Sequence, residues 1–231
     1  MKSTHLIFIS FLLLSSFGTN AQQIENKINR LVASMTLDEK IGQMTQVERK
    51  ELDHISDLAT YNIGSLLSGG GSAPTPNSLT AWIDMYNEYQ TVSMQSSSGI
   101  PMIYGIDAVH GHSNVKGAVI VPHNIGLGAT WNTDLVKEIS KVVAKEVAAT
   151  GIDWTFAPCV AVPQNERWGR TYEGFGETSE INQIMGIASV VGLQGNDLAL
   201  DNTILACAKH FIGDGGTTDG IDQGNTEITE E

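Results

Sequence analysis

The sequence predicts an α/β fold, a (β/α)8 TIM-type barrel of which about the first half to two-thirds is present. Three observations predict it. Apolar strand-like segments alternate with helical ones, and the apolar runs are near-continuous, as in a parallel sheet covered on both faces. Three of these segments run directly into clusters of Asp, His, Arg, Glu and Lys. An open doubly wound sheet brings only some loops to a ligand, whereas a barrel delivers every strand's C-terminal loop to one mouth. The chain has 231 residues, close to the roughly 250 of a whole barrel. The strand-like segments nevertheless amount to half a barrel, and residues 226–231 close no capped element, so the expectation is a domain cut partway.

The elements follow in order. Residues 1–21 carry Lys2, an apolar run from Leu6 to Leu14 and a small polar stretch ending at Ala21. This is the pattern of a secretory signal cleaved after Ala21, and the run is far shorter than the ~20 residues a membrane span needs. Residues 22–231 are read as one incomplete barrel domain, secreted or periplasmic. Ile24, Ile28, Leu31 and Val32 recur at helical spacing across Gln22 to Met35, and Thr36-Leu37-Asp38-Glu39 is a capping box for a short helix through Met44. Asn62 to Ser68 is a buried strand running into Gly69, Gly70 and Gly71. A helix from about Ser78 to Met94 carries Leu79, Trp82, Ile83, Tyr86 and Tyr89 on one side.

Ile100 to Ile106 is the next strand, followed by Asp107-Ala108-Val109-His110-Gly111-His112. Gly126-Leu127-Gly128 reads as a turn. Thr133 to Thr150 is a helix with a stripe of Leu135, Ile139, Val142, Val143 and Val147, and Gly151 is its left-handed stop. Asp153 to Val162 is a strand, and Asn165 to Glu173 its polar continuation. Ser179 to Leu193 is a helix despite Gly186. Thr203 to Phe211 is the last strand, ending in Lys209 and His210 before Gly213-Asp214-Gly215-Gly216.

Charge narrows the partners. Lys and Arg number 13 against 26 Asp and Glu, a net charge of −13, and loss of the leader removes only Lys2. Nucleic acid, a polyanion, is excluded as a partner; a neutral ligand fits an acidic exported protein. Cys159 and Cys207 both lie in apolar segments and read as buried thiols, with a disulfide open if the segments are neighbours. No spacing calls for a metal or other cofactor: His110 and His112 form a His-x-His pair without a third ligand. The glycine runs lack the spacing that cradles phosphate.

A site that discriminates sugar hydroxyls needs charged acceptors and donors, whose hydrogen bonds are about twice as strong as neutral ones. Asp107, Arg170, Lys209 and His210 are such a set, each just beyond a strand end. Asp107 taken singly reads equally well as a helix N-cap. Lys209 at the end of an apolar strand requires a partner or a pocket, because burying a lone ammonium is expensive. A Schiff-base aldolase using Lys209 is an alternative chemistry.

Several stretches then carry a resemblance. Residues 35–44 (MTLDEKIGQM), 105–111 (GIDAVHG), 122–130 (PHNIGLGAT), 167–173 (RWGRTYE) and 209–217 (KHFIGDGGT) together resemble glycoside hydrolase family 3, in its β-glucosidase and exo-β-glucan glucohydrolase group. The resemblance covers essentially all of the chain after the leader. It implies a (β/α)8 domain in which Asp107, Arg170, Lys209 and His210 hold the non-reducing glucosyl unit of a β-glucoside, cello-oligosaccharide or β-glucan. It also implies a retaining enzyme with an Asp nucleophile on a later strand and an acid/base from a second domain, so that no catalytic residue lies within this chain and the fragment alone is inactive. The β-N-acetylhexosaminidase branch carries a His in the loop where this chain has Asp214. A sugar-binding protein without catalysis is the third reading.

Overall fold

The computed structural model describes residues 21–229; the leader expected over residues 1–21 lies outside them except for Ala21. Residues 21–34 form α1. Its stripe of Ile24, Ile28, Leu31 and Val32 faces solvent: helical spacing tells which face is apolar, not what covers it. In α2 (Leu37–Gln43) the capping box forms as expected. Thr36 Oγ1 accepts from the Glu39 amide and the Glu39 carboxylate accepts from the Thr36 amide at 2.8 Å, which satisfies amides that no helical carbonyl can reach.

The strands are β1 (Gln46–Glu48), β2 (Ser65–Ser68), β3 (Ile103–Ile106) and β4 (Trp154–Thr155), all parallel and adjacent in chain order. Between them lie α3 (Asp57–Thr60), α4 (Leu79–Ser93), α5 (Asn124–Gly128) and α6 (Thr133–Ala148), and α7 (Ser179–Gln194) follows β4. A parallel sheet with each strand followed by covering helices is part of the expected barrel.

Three details depart from the sequence reading. β1 is an additional strand of only three residues, too short and too polar to show a pattern. The segment 126–128, read as a turn, lies in α5. The strand expected over Asp153 to Val162 is regular only at Trp154–Thr155, because Pro158 has no amide to give to a ladder. Its partner, expected over Thr203 to Phe211, is likewise an extended run held by separated bridges, Trp154 to Leu205 and Cys159 to Lys209. The pairing is nonetheless parallel: the Leu205 amide donates to Asp153 O at 2.8 Å, the Cys207 amide to Ala157 O at 2.8 Å and the Lys209 amide to Pro158 O at 3.0 Å.

Leu58, Leu66, Trp82, Tyr104, Ile106, Val143, Val147, Ile152, Leu193 and Ile204 form the main core. On α6 the buried side is Val136, Ser140, Val143, Ala144 and Val147, so the expected stripe is rotated slightly: Leu135 and Val142 are 41% and 45% exposed. The expected stop holds, with Gly151 at φ +86°. Gly186 explains its own presence in α7, since a Cβ there would lie 2.7 Å from Val160 Cγ1; its absence lets the helix close on the strand that carries the site. Among the described residues no helix is long and apolar enough to cross a membrane.

Candidate functional site

The C-terminal ends of β3, of the β4 segment and of the run after Leu205 open on one side of the sheet, and each contributes polar groups. Asp107 follows the last residue of β3. Lys209 sits beside Cys159 through the parallel bridge, and its Nζ donates to Asp107 Oδ1 at 3.1 Å. The lysine side chain is only 16% exposed, so this carboxylate supplies the partner that its burial demanded, while Asp107 at 41% remains open to a ligand.

Arg170 lies in the loop after β4, just before a 3-10 turn at Thr171–Glu173. Its Nε and Nη2 donate to the two Glu173 oxygens at 3.0 and 2.7 Å. Nη2 also meets His210 Nε2 at 3.1 Å. On the other edge of the ring, His210 Nδ1 is 2.7 Å from Asp214 Oδ2. The hydrogen bond to Glu173, above all, holds the guanidinium firmly charged, with the charges of Glu173 and Asp214 acting in the same direction against burial. The four residues singled out from sequence thus fall into two directly bonded pairs: Asp107 with Lys209, across the end of the β4 segment, and Arg170 with His210, from neighbouring strand ends.

The loops that carry these groups are tied together. Asn124, buried at the start of α5, donates through Nδ2 to Glu173 O at 2.8 Å and to Cys159 O at 3.3 Å. Gln164 donates its amide to Gly215 O at 2.9 Å. Trp168, 1% exposed, gives its indole N–H to Asp222 Oδ1 at 2.8 Å, which anchors the loop after Asp214. Beside Glu173, the His123 ring meets His110 in a tilted contact and Tyr172 edge to face, with centroids 4.2 and 4.6 Å apart. His123 is held below the ordinary imidazole range by desolvation and by His110.

His112, the other half of the His-x-His pair, points away from this group: it is 1% exposed, and its Nε2 lies 3.3 Å from Thr150 Oγ1. Burial pushes its pKa down to about 4. Among the described residues no cluster of His, Cys, Asp and Glu could hold a metal ion. Cys159 and Cys207 are free thiols, the former buried, and burial pushes the Cys159 thiol up.

Glu173 and Asp214 received no role from the sequence, yet they make the shortest polar contacts among these side chains, 2.7 Å each. The available signal was spacing: Glu173 is three residues after Arg170 and Asp214 four after His210, distances over which a turn brings opposite charges together. Chemically, the arrangement offers open carboxylate oxygens, an ammonium, a guanidinium and an imidazole within one wall. That set suits a ligand with many hydroxyls and no net charge.

A family model described as "Glycosyl hydrolase family 3 N terminal domain" matches residues 36–231. A lysosomal beta glucosidase of Dictyostelium discoideum is 36% identical over 225 residues, covering 88% of this chain and 27% of that protein. A periplasmic beta-glucosidase of Salmonella typhimurium is 30% identical over 204 residues, covering 88% of this chain and 25% of that protein. Among solved structures, an exo-1,3/1,4-beta-glucanase from a Pseudoalteromonas species superposes with a TM-score of 0.83 at 45% identity, covering 90% of this chain and 27% of that chain. The chain therefore spans about a quarter of the length of these relatives.

Proposed function

This chain belongs to glycosyl hydrolase family 3, and we propose on that footing that it forms the sugar-holding wall of a secreted or periplasmic glycoside hydrolase releasing β-linked glucose from non-reducing ends. Asp107, Arg170, Lys209 and His210 grip the terminal glucosyl unit. Asp107 accepts hydroxyl hydrogens, and Lys209 and Arg170 donate to sugar oxygens while offsetting the carboxylates. Reaction with retention requires a nucleophile and an acid/base about 5–5.5 Å apart. No role of that kind is assigned within the chain, and both are expected from parts of the protein outside it, as the family resemblance implies.

The observation that carries this reading is the convergence of the four residues, far apart in sequence, into the pairs Asp107 with Lys209 and Arg170 with His210. The names of the relatives, β-glucosidases and an exo-β-glucanase, support the choice of glucose. One relative, from Cellulomonas fimi and 30% identical over 190 residues, is named a beta-N-acetylglucosaminidase/beta-glucosidase, so N-acetylglucosaminides belong in the test.

The test is hydrolysis of p-nitrophenyl β-glucoside and the matching N-acetylglucosaminide by this chain and by the product of its full reading frame. Activity of the longer protein alone, with glucoside preferred, is the expected result. Turnover by the 231-residue chain itself would show that a nucleophile lies within it. Preference for the N-acetylglucosaminide would move the protein to the other branch, and sugar binding without turnover would leave a lectin-like role.

A further inference from the structure

We propose that Asp214 and Glu173 are positioning residues that hold His210 in a single tautomer, with the proton on Nδ1 and with Nε2 offered to the site as an acceptor. The inference rests on the sugar-holding role of His210 proposed above and adds how that role is set.

An arginine can only donate hydrogen bonds. Its Nη2 stands 3.1 Å from His210 Nε2, so Nε2 must present its lone pair there. The ring proton is then on Nδ1, which faces Asp214 Oδ2 at 2.7 Å. The opposite tautomer would set an N–H against the guanidinium and a lone pair against the carboxylate, repulsive on both edges. His210 Nδ1 and Asp214 Oδ2 are both buried, and neither makes a hydrogen bond to any other group. The 2.7 Å contact between them is the short polar contact each has there, with the Arg170 guanidinium 4.0 Å from the same carboxylate oxygen, so the favourable filling of that contact is a proton on Nδ1 facing the carboxylate.

Both flanking groups are fixed. Glu173 binds Arg170 through two bonds, which sets the plane of the guanidinium, and its own carbonyl is held by Asn124. Asp214 begins a 3-10 turn preceded by Gly213 at φ +82°. That turn is pinned where Thr226 Oγ1 donates to Gly213 O at 2.9 Å and where Gly215 passes so close to Val162 that a Cβ would lie 2.4 Å from its carbonyl oxygen. A sugar hydroxyl that reaches His210 thus meets an acceptor. Arg170 can yield that lone pair to the hydroxyl, because it keeps its two bonds to Glu173.

The experiment is long-range 1H–15N correlation on the full-reading-frame protein labelled with 15N-histidine, recorded at about pH 8 and repeated at higher pH until the pattern no longer changes. His210 is assigned by the signal lost in His210→Gln. Wild type should show a protonated Nδ1 and a bare Nε2. Asp214→Asn, whose amide oxygen can still accept, should keep that pattern, and Asp214→Leu should lose it. Glucosidase kcat/KM should fall roughly 10- to 100-fold in Asp214→Leu, the size of one charge-assisted hydrogen bond, and recover most of the way in Asp214→Asn.

A wild-type ring protonated on Nε2, or an unchanged tautomer in Asp214→Leu, overturns the proposal. If Asp214→Leu does not fold, the wild-type tautomer alone decides. A protein that hydrolyses no glucoside but shows the Nδ1–H tautomer and its loss in Asp214→Leu keeps the positioning claim while the glucosidase reading falls.

Discussion

Replacing Asp107 with alanine separates the recognition role of this carboxylate from its structural one. The bare attraction between Asp107 and Lys209 at 3.1 Å is about 5 kcal/mol at an effective dielectric near 20. Asp107 is 41% exposed, however, so solvent screening leaves roughly 1 kcal/mol for stability. That shifts Tm by at most about 2–4 °C, the value for a unit of 150–250 residues and an upper bound for a longer protein. Recognition should suffer more. A carboxylate accepting two sugar hydroxyls makes two charge-assisted bonds of about 1.5–3 kcal/mol each, so Asp107→Ala should lower kcat/KM for a β-glucoside by about 10²- to 10⁴-fold. Asp107→Asn keeps one acceptor and should lose roughly half of that free energy. Steady-state kinetics and thermal melts on the full-reading-frame protein check both numbers. Activity within about threefold of wild type, or a loss explained by unfolding, would refute the assignment of Asp107 to the sugar.

Three further outcomes follow from the packing. His112 has a folded pKa of about 4 against an unfolded value near 6.5, so the unfolded chain binds the extra proton. Its contribution is complete above about pH 6.5 and is lost as pH falls toward about 4, by about 3 kcal/mol in total. Urea midpoints of wild type and His112→Gln should therefore converge as pH drops through that window; parallel curves would contradict it. Gly128→Ala puts a Cβ 1.7 Å from Phe175 O, and the backbone shift this forces should cost about 1–3 kcal/mol or more in chemical denaturation. Trp168→Phe removes the indole bond to Asp222 from a fully buried position, and about 2–4 kcal/mol of stability should go with it; the same melts measure it.

The barrel class was legible because long periodic segments dominate it. α4 and α6 begin and end within two residues of the expected positions, and in the structure each begins at a side-chain cap: Ser78 Oγ accepts from the Ala81 amide and Asn132 Oδ1 from the Leu135 amide. What escaped was either very short or tertiary in origin. Gln46–Glu48 is a strand only because β2 lies alongside it. α5 forms although two of its five residues are glycine, because Gly128 must pass against Phe175 where no side chain fits. At the site, the residue types and strand-end positions pointed to Asp107, Arg170, Lys209 and His210, but the roles of Glu173 and Asp214 depend on a ring and a guanidinium meeting across 40 residues. Local spacing shows which charges can pair and leaves open which of them then orient a third group.

Self-association of the isolated chain is the last expectation, and it comes from the edge that carries the site. The run from Leu205 to Lys209 bonds to the β4 segment on one side, and among the described residues no strand is paired to its other side. Around that edge Phe211 is 94% exposed, Ile212 71%, Ile228 63% and Ile187 57%. Val160, Val162, Ala208, Phe211, Ile212 and Ile228 line an open groove of about 530 Å³ there. On that outer side the Ala206 amide is taken by Gln194 Oε1 at 3.1 Å, and the backbone groups beyond it, beside exposed large apolar side chains, are a template for another chain. The 231-residue chain should therefore elute above its monomer mass and bind a hydrophobic dye, both effects diminishing in Phe211→Asp, which adds charge to the edge. A monomeric elution volume with a single cooperative melt would show that this edge is tolerated in water, and the expectation of self-association would fall with it.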